Sequence, residues 1–187
     1  MSADSKSVLH AWLLKARIPA SIVMAATILL LARPTPQSMI LGSVLIAAGE
    51  SLRIWASGHI HKLAEVTQTG PYALCRHPLY LGHFIITLGF CLAAASLWAS
   101  AIVIPAFFLV YMPTWKNEER YLLEKFGKVY RDYMASTPAL LPKPGGAWRS
   151  GSFDWALVRK HREWNHILLI LLGLALLLAI GIHQGGI

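Results

Sequence analysis

The sequence predicts an all-α fold: a polytopic membrane helical bundle of about five transmembrane helices, with amphipathic helices on its cytoplasmic side. The composition is the first reason, since 56% of the 187 residues are hydrophobic and only 14% are charged, where an ordinary soluble domain has about 25% charged residues. The second reason is the segment from Pro78 to Trp115, which contains no Asp, Glu, Lys or Arg. It is about twice as long as the roughly 20 residues that cross a bilayer once. We therefore expect a helical hairpin here.

The other spans follow from hydropathy in the same way. The first is predicted over residues 18–32 and starts earlier, near Val8, because Lys15 and Arg17 can extend their charged ends to the membrane interface. We expect the second over 37–56, the hairpin turn at 93–100 and the last span over 165–187. The chain then forms a single integral membrane domain, divided into two N-terminal spans (1–56), a core around the hairpin (57–147), and a surface helix with the last span (148–187).

Two polar segments, 57–77 and 116–162, are predicted to lie on one side of the membrane. In the second, NEERYLLEKFGKVYRDYM has apolar and aromatic residues at helical spacing, which predicts an amphipathic helix lying on the bilayer or on its own bundle. The prolines of STPALLPKPGG end it. FDWALVRKHREW is predicted to form a second surface helix before the last span.

The formal net charge of +8 is explained by topology. With five spans, nearly all Lys and Arg fall on one side, which the positive-inside rule makes cytoplasmic. Attraction to anionic membrane lipids accounts for the rest, so no nucleic-acid partner is predicted. Because the sequence shows no organelle-targeting segment, we expect a prokaryotic inner membrane.

Neither the cysteines nor the histidines show the spacing of a metal site. Cys75 and Cys91 are isolated, and no Cys or carboxylate completes a ligand pattern around the histidines, which are His59, His61, His77 and His83. We therefore predict no metal ligands. Glu50 and Arg53 are three residues apart in the second span, where placing two ionisable side chains in the membrane costs free energy. They either serve a function or simply neutralise each other.

The stretch GPYALCRHPLYLGHF joins polar residues to the start of a membrane helix. Pro78 suits the first position of a helix, which places His77 at or beside the N-cap, where unpaired N–H groups favour an anionic or acceptor-rich ligand group. Tyr72 and Tyr80 offer aromatic faces to a cation. The hairpin brings Glu118 and Glu119, immediately after the fourth span, to the same side. This mixed site suits a ligand with an ammonium group and hydroxyl or carboxylate groups.

The order of LRIWA, GPYALCRHPLYLG and EERYLLEKFGKVYRDY resembles the isoprenylcysteine carboxyl methyltransferase family and its phospholipid N-methyltransferase relatives. The resemblance covers Leu52 to about Pro142. It implies an integral membrane methyltransferase that uses S-adenosylmethionine and acts on a lipophilic acceptor. The positions that match the family's cofactor-binding residues are Tyr72, His77, Pro78, Leu79, Tyr80 and Glu118, joined across a loop of variable length by Ala64, Glu65, Val66 and Thr67.

One position departs from the family. Thr114 stands where the carboxyl methyltransferases carry an arginine for the substrate carboxylate. Lys116 is a poor replacement, because two residues along a helix point about 200° apart. The acceptor is therefore left open among a carboxylate, an amine and a thiol. The predicted catalytic residues, Glu119, Arg53 and Glu50, are expected to orient the acceptor rather than to act as a base, and His77 is a further candidate for that role.

Two alternatives come from other classes. Sterol reductases share a related core and bind a nicotinamide cofactor in a similar place, which makes an NADPH-dependent membrane reductase the first alternative. The second is a membrane scaffold without catalytic activity, in which the same motifs only cap helices. The GPY and EExxL elements favour methyl transfer.

Overall fold

A computed structural model describes residues 3–60, 65–142 and 151–187, with side chains from Arg17 onward. These parts of the chain contain helices and no strand, which confirms the all-α prediction. The helices are α1 (Ala3–Leu31), α2 (Pro36–Ser57), α3 (Pro78–Ala93), α4 (Leu97–Phe126), α5 (Lys128–Ser136), α6 (Trp155–Lys160) and α7 (Glu163–His183), and a 3₁₀ turn covers Gly70–Ala73.

Three helices of the described chain, α2, α4 and α7, are long and apolar enough to cross a membrane. Two shorter apolar helices, Arg17–Leu31 within α1 and the whole of α3, lie where we predicted the other spans. The number of five spans therefore stays a prediction, although a helix is found at each predicted position. Leu30, Leu97 and Leu109 are 84%, 83% and 76% exposed, as expected of side chains that face lipid.

The predicted hairpin is present. Helices α3 and α4 are joined by residues 94–96, and Ser96 caps α4 by accepting a 3.3 Å hydrogen bond from the Ala99 N–H. Ala95 takes the left-handed backbone conformation, with φ of 48°, which lets the chain reverse. The reversal brings the start of α3 and the C-terminal part of α4, which carry the polar motifs, to the same end of the hairpin.

The segment 117–134 is helical as predicted, but it is not one separate helix. Helix α4 continues through that segment to Phe126, because no residue after Trp115 interrupts its hydrogen bonding and Pro113 is tolerated within it. Gly127, with φ of 54°, ends α4 and starts α5. Tyr130 and Tyr133 on α5 are buried in the protein, so the apolar face of this helix packs on the bundle.

The second predicted surface helix is shorter than expected. Helix α6 is capped by the Asp154 side chain, which accepts a 2.7 Å hydrogen bond from the Ala156 N–H. Arg162, with φ of 56°, adopts the left-handed conformation and separates α6 from α7. Glu163 therefore belongs to the first turn of α7.

Helices α2 and α3 pack closely through glycines seven residues apart on each helix. A Cβ at Gly49 would lie 2.8 Å from the carbonyl oxygen of Gly82, and one at Gly42 would lie 2.6 Å from that of Gly89. Small residues at a helix interface allow such close backbone contact in a membrane. This packing fixes the position of Arg53 on α2 relative to the first turns of α3.

Candidate functional site

The start of α3 has the form that the sequence predicts. His77 is the N-cap residue and Pro78 the first residue of the helix. The backbone N–H groups of Arg76 and His77 donate to the carbonyl oxygens of Pro138 and Ala139, at 2.8 and 3.0 Å. The chain that follows α5 is thus bound against the RHP stretch.

Glu119 joins α4 to the start of α3. Its Oε1 atom lies 2.8 Å from Arg76 Nε and 2.7 Å from Arg76 Nη2, and His77 Nε2 donates to the same oxygen at 3.0 Å. The predicted meeting of the RHP and EE motifs is therefore present. Because cations of the chain itself already engage Glu119, its predicted role toward the acceptor stays a prediction.

Glu118 has a different surrounding. The Tyr80 hydroxyl donates to Glu118 Oε1 at 2.7 Å, and Arg17 Nη1 lies 3.5 Å from that hydroxyl. Within the described residues, Tyr80 is the one hydrogen-bond partner of this carboxylate. Glu118 therefore keeps most of its acceptor capacity for a ligand.

Tyr72 carries a buried hydroxyl that has no hydrogen-bond partner among the described residues. The backbone at Tyr72 is held in place, because Tyr133 donates a 2.7 Å hydrogen bond to the Tyr72 carbonyl oxygen. Burial raises the pKa of the Tyr72 phenol well above its usual value, so the group is neutral. Buried polar atoms are usually paired, and an unpaired hydroxyl at a predicted ligand site is the feature expected where a ligand binds.

Aromatic rings surround these polar groups. Trp115 stacks on His77 with ring centroids 6.1 Å apart and lies 6.0 Å from the Tyr80 ring. Tyr80 also contacts Tyr111, at 5.9 Å. Sequence analysis did not predict Trp115 as a site residue. Its position four residues before Glu119, on the same helix face, was the available signal.

The predicted pair of Glu50 and Arg53 belongs to a larger buried network. Arg53 Nη2 lies 2.9 Å from Glu163 Oε2, and Arg53 Nε lies 3.6 Å from Glu50 Oε2. Ser57 donates to Glu163 Oε1 at 2.7 Å, and His166 Nδ1 donates to Glu50 Oε2 at 2.8 Å. Sequence analysis missed the three further members, because two of them come from the start of α7, far away in the chain.

The other residues predicted to bind the cofactor lie at the start of α3 and in the chain before the 3₁₀ turn. Leu79 lies in the first turn of α3, where its carbonyl oxygen accepts from Arg53 Nη1 at 3.4 Å. Glu65, Val66 and Thr67 lie in irregular chain before the 3₁₀ turn. Ala64 lies outside the described residues.

Thr114 stands where the carboxyl methyltransferases carry an arginine, and Lys116 is the nearby basic residue of the same helix. Thr114 is buried, and its hydroxyl donates to the carbonyl oxygen of Val110 on its own helix, at 2.9 Å. Lys116 is exposed. Arg53, which contacts the Leu79 carbonyl oxygen, and Arg17, which lies near the Tyr80 hydroxyl, are guanidinium groups beside this site.

Comparison with known proteins identifies the family. The profile of the phospholipid methyltransferase family matches residues 37–129, about half of the chain, which contain Tyr72, His77, Tyr80 and Glu118. The chain belongs to this family of membrane methyltransferases. A protein-S-isoprenylcysteine O-methyltransferase of Schizosaccharomyces pombe is 27% identical over 100 residues, 54% of this chain and 42% of that protein.

Two further relatives are each similar to about half of the chain. A nickel-cobalt-cadmium resistance protein of Alcaligenes xylosoxydans xylosoxydans is 36% identical over 49% of this chain and 43% of its own length. A cobalt-zinc-cadmium resistance protein of Cupriavidus metallidurans is 32% identical over 58% of this chain and 51% of its own length. The chain thus spans about half the length of the curated relatives it matches. No solved structure matches the chain significantly.

Proposed function

We propose that this phospholipid methyltransferase family member transfers a methyl group from S-adenosylmethionine to a lipophilic acceptor in the membrane. The observation that carries the proposal is the meeting of His77 and Tyr80 with Glu118 and Glu119 at one end of the α3–α4 hairpin, within the residues that match the family. We place the protein in a prokaryotic inner membrane with this end facing the cytoplasm, because most Lys and Arg fall on that side of the predicted topology.

The residues present fit S-adenosylmethionine, which supplies a methyl group on a positively charged sulfur. Glu118, with a single hydrogen bond from Tyr80, can pair with the ammonium group of the cofactor. The unpaired hydroxyl of Tyr72 can bond to one of its polar groups. The rings of Tyr80 and Trp115 offer π faces to the sulfonium or stack on the adenine.

The chain's contribution to the reaction is to position the reactants and to exclude water. Aligning a bound donor and acceptor contributes up to about 7–11 kcal/mol in well-oriented reactions. The buried aromatic wall around Tyr80 keeps the local dielectric low, which strengthens the electrostatic effect of each charge. No side chain has to remove a proton during attack by a carboxylate, a thiolate or a neutral amine.

The acceptor is proposed to enter from the bilayer and to be oriented by Arg53 and Glu50. Glu50 is buried and Arg53 partly buried on α2, and Arg53 contacts the carbonyl of Leu79 in the first turn of α3, next to Tyr80. With Thr114 in place of the family's substrate arginine, Arg53 is proposed to face an acidic group of the acceptor, and Glu50 can face an amine. The acceptor class therefore stays open among a carboxylate, an amine and a thiol.

The proposal is tested by methyl transfer in a membrane. The protein is reconstituted into vesicles of total lipid extract with S-adenosylmethionine carrying a tritiated methyl group. We expect tritium in the organic-soluble fraction with the wild type, a strong loss with Glu118→Gln, and full activity with the exposed Glu124→Gln control. Transfer only to water-soluble acceptors, or equal labelling with Glu118→Gln, would contradict it.

A further inference from the structure

Glu50, Glu163 and His166 form a compact group of potential metal ligands between α2 and α7. One ligand atom of each lies within 4.8 Å of the other two. Glu50 and Glu163 are 8% and 5% exposed, so the carboxylates are removed from water, while the His166 side chain is 23% exposed and leaves the group open on one side. The two carboxylates are thus buried, while a small ion can approach them from the side of His166.

The arrangement matches a known way of building ion sites in helical bundles. Glu163 and His166 are three residues apart on α7 and therefore project from the same face. A Glu-x-x-His pair on one helix, completed by a Glu from a facing helix, is a recurrent ligand set in bundle cores. Glu50 on α2 provides that third ligand.

The balance of charges in the group favours a bound cation. With a neutral imidazole, two carboxylates stand against the one guanidinium of Arg53. Glu50 Oε1 is buried and has no hydrogen-bond partner among the described residues. An ionised oxygen that is buried and unpaired is costly, and more so in a membrane-spanning helix. A bound cation at Glu50 Oε1 removes this cost.

The existing hydrogen bonds are compatible with such binding. Glu163 accepts one bond on each oxygen, from Ser57 Oγ and Arg53 Nη2, and a carboxylate has about four lone-pair positions. Ser57 and Arg53 can therefore hold Glu163 in orientation while it binds an ion, as the partners of metal-bound carboxylates do elsewhere. His166 Nδ1 can give up its bond to Glu50 and bind the ion when the imidazole proton moves to Nε2, which is the other neutral tautomer.

We propose that Glu50, Glu163 and His166 bind one divalent transition-metal ion, of the zinc or cobalt type that imidazole and carboxylate ligands favour. The site goes beyond methyl transfer, because Glu163 and His166 lie outside the residues that match the family, and it shares Glu50 with the proposed acceptor role. The competing account is that Arg53 and a protonated His166 neutralise the two carboxylates, in which case no metal binds.

The test is Co²⁺ titration of the full-length, untagged protein in detergent, followed by the absorption of bound cobalt and by equilibrium dialysis. We expect one saturable ion per chain, displaced by Zn²⁺. Glu50→Gln, Glu163→Gln and His166→Ala should each weaken binding by about tenfold or more. Glu124→Gln and His183→Ala, which change an exposed acid and an exposed histidine, serve as matched controls and should bind as the wild type does.

X-ray absorption at the cobalt edge of the loaded wild type tests the ligands without any variant. One imidazole nitrogen with oxygen ligands supports the site. The absence of stoichiometric binding, binding unchanged in all three variants that retain a helical circular dichroism spectrum, or a coordination shell without imidazole would overturn it.

Discussion

The hydroxyl of Tyr80 donates a 2.7 Å hydrogen bond to Glu118 Oε1 across the hairpin of α3 and α4. A hydrogen bond to a carboxylate is stronger than one between neutral groups. It therefore holds the first turns of α3 against the polar part of α4, where the GPY, RHP and EE motifs meet. The bond to Tyr80 leaves most lone pairs of Glu118 available for a ligand, whereas Glu119 already accepts from Arg76 and His77.

Glu119→Gln should destabilise the fold. The substitution removes the charge that the Arg76 guanidinium faces and weakens the hydrogen bond with His77, and weakening the bonds of such a partly buried group costs about 1–3 kcal/mol. For a chain of this size we expect the melting temperature, followed by circular dichroism in detergent, to fall by roughly 2–12 °C. The control, Glu124→Gln on the exposed face of the same helix, should change the melting temperature little. Equal melting temperatures of the two variants would show that Glu119 does not stabilise the contact between α3 and α4.

Gly49→Val should separate α2 from α3. The added Cβ would lie 2.8 Å from both the Gly82 carbonyl oxygen and the Ile86 side chain, so the backbones have to move apart. We expect a lower melting temperature and weaker cofactor binding, because Arg53 shifts relative to Tyr80. Ala48→Val, one residue away on the exposed face, is the control. A Gly49→Val protein as stable as this control would show that the close packing is unnecessary.

Tyr72→Phe and Tyr133→Phe should have opposite effects. Tyr72→Phe removes a hydroxyl that has no partner in the described structure, so the melting temperature should stay or rise while the affinity for S-adenosylmethionine falls. Tyr133→Phe removes the bond to the Tyr72 carbonyl and leaves that oxygen buried, at a cost of about 1–3 kcal/mol. Thermal melting and isothermal titration of both variants measure the contrast. Unchanged affinity in Tyr72→Phe would remove this hydroxyl from the cofactor site.

Cys75 should be unreactive in the folded protein. Burial raises the pKa of its thiol to about 11, and only the thiolate reacts with alkylating agents. Because the pKa is raised, the thiolate fraction at pH 8 falls by a factor on the order of 10² relative to an ordinary cysteine. In a Cys91→Ala background, iodoacetamide should label Cys75 slowly until the pH approaches 11, and quickly after denaturation in dodecyl sulfate. Rapid labelling of the native protein at pH 8 would show that the thiol is accessible and ionised.

Local signals predicted that the RHP and EE motifs lie together. Pro78 after a polar residue marks the start of a helix, and the long charge-free stretch that follows requires a hairpin, so the contact between His77 and Glu119 could be expected from the sequence. Helical periodicity could not show where α4 ends, because the amphipathic pattern continues the phase of the membrane helix. The left-handed backbone of Gly127, which ends α4, has no such periodic signal.

The network around Arg53 shows the limit of reasoning from spacing alone. Glu163 and His166 precede an apolar run and look like the polar edge of a membrane helix. Their contacts with Arg53 and Glu50 depend on how α7 packs against α2, which follows from the shape of the whole bundle and not from either segment. A ligand set divided between distant helices is therefore invisible to a search for ligand spacing.

The central claim is tested most directly by isothermal titration of S-adenosylmethionine, and separately of NADPH, into the purified protein in detergent. The account predicts saturable binding of one S-adenosylmethionine, weakened about tenfold or more by Glu118→Gln and by His77→Ala, unaffected by Glu124→Gln, and no binding of NADPH. Binding of NADPH alone would replace methyl transfer with reduction, and binding of neither would contradict a cofactor site at the α3–α4 hairpin.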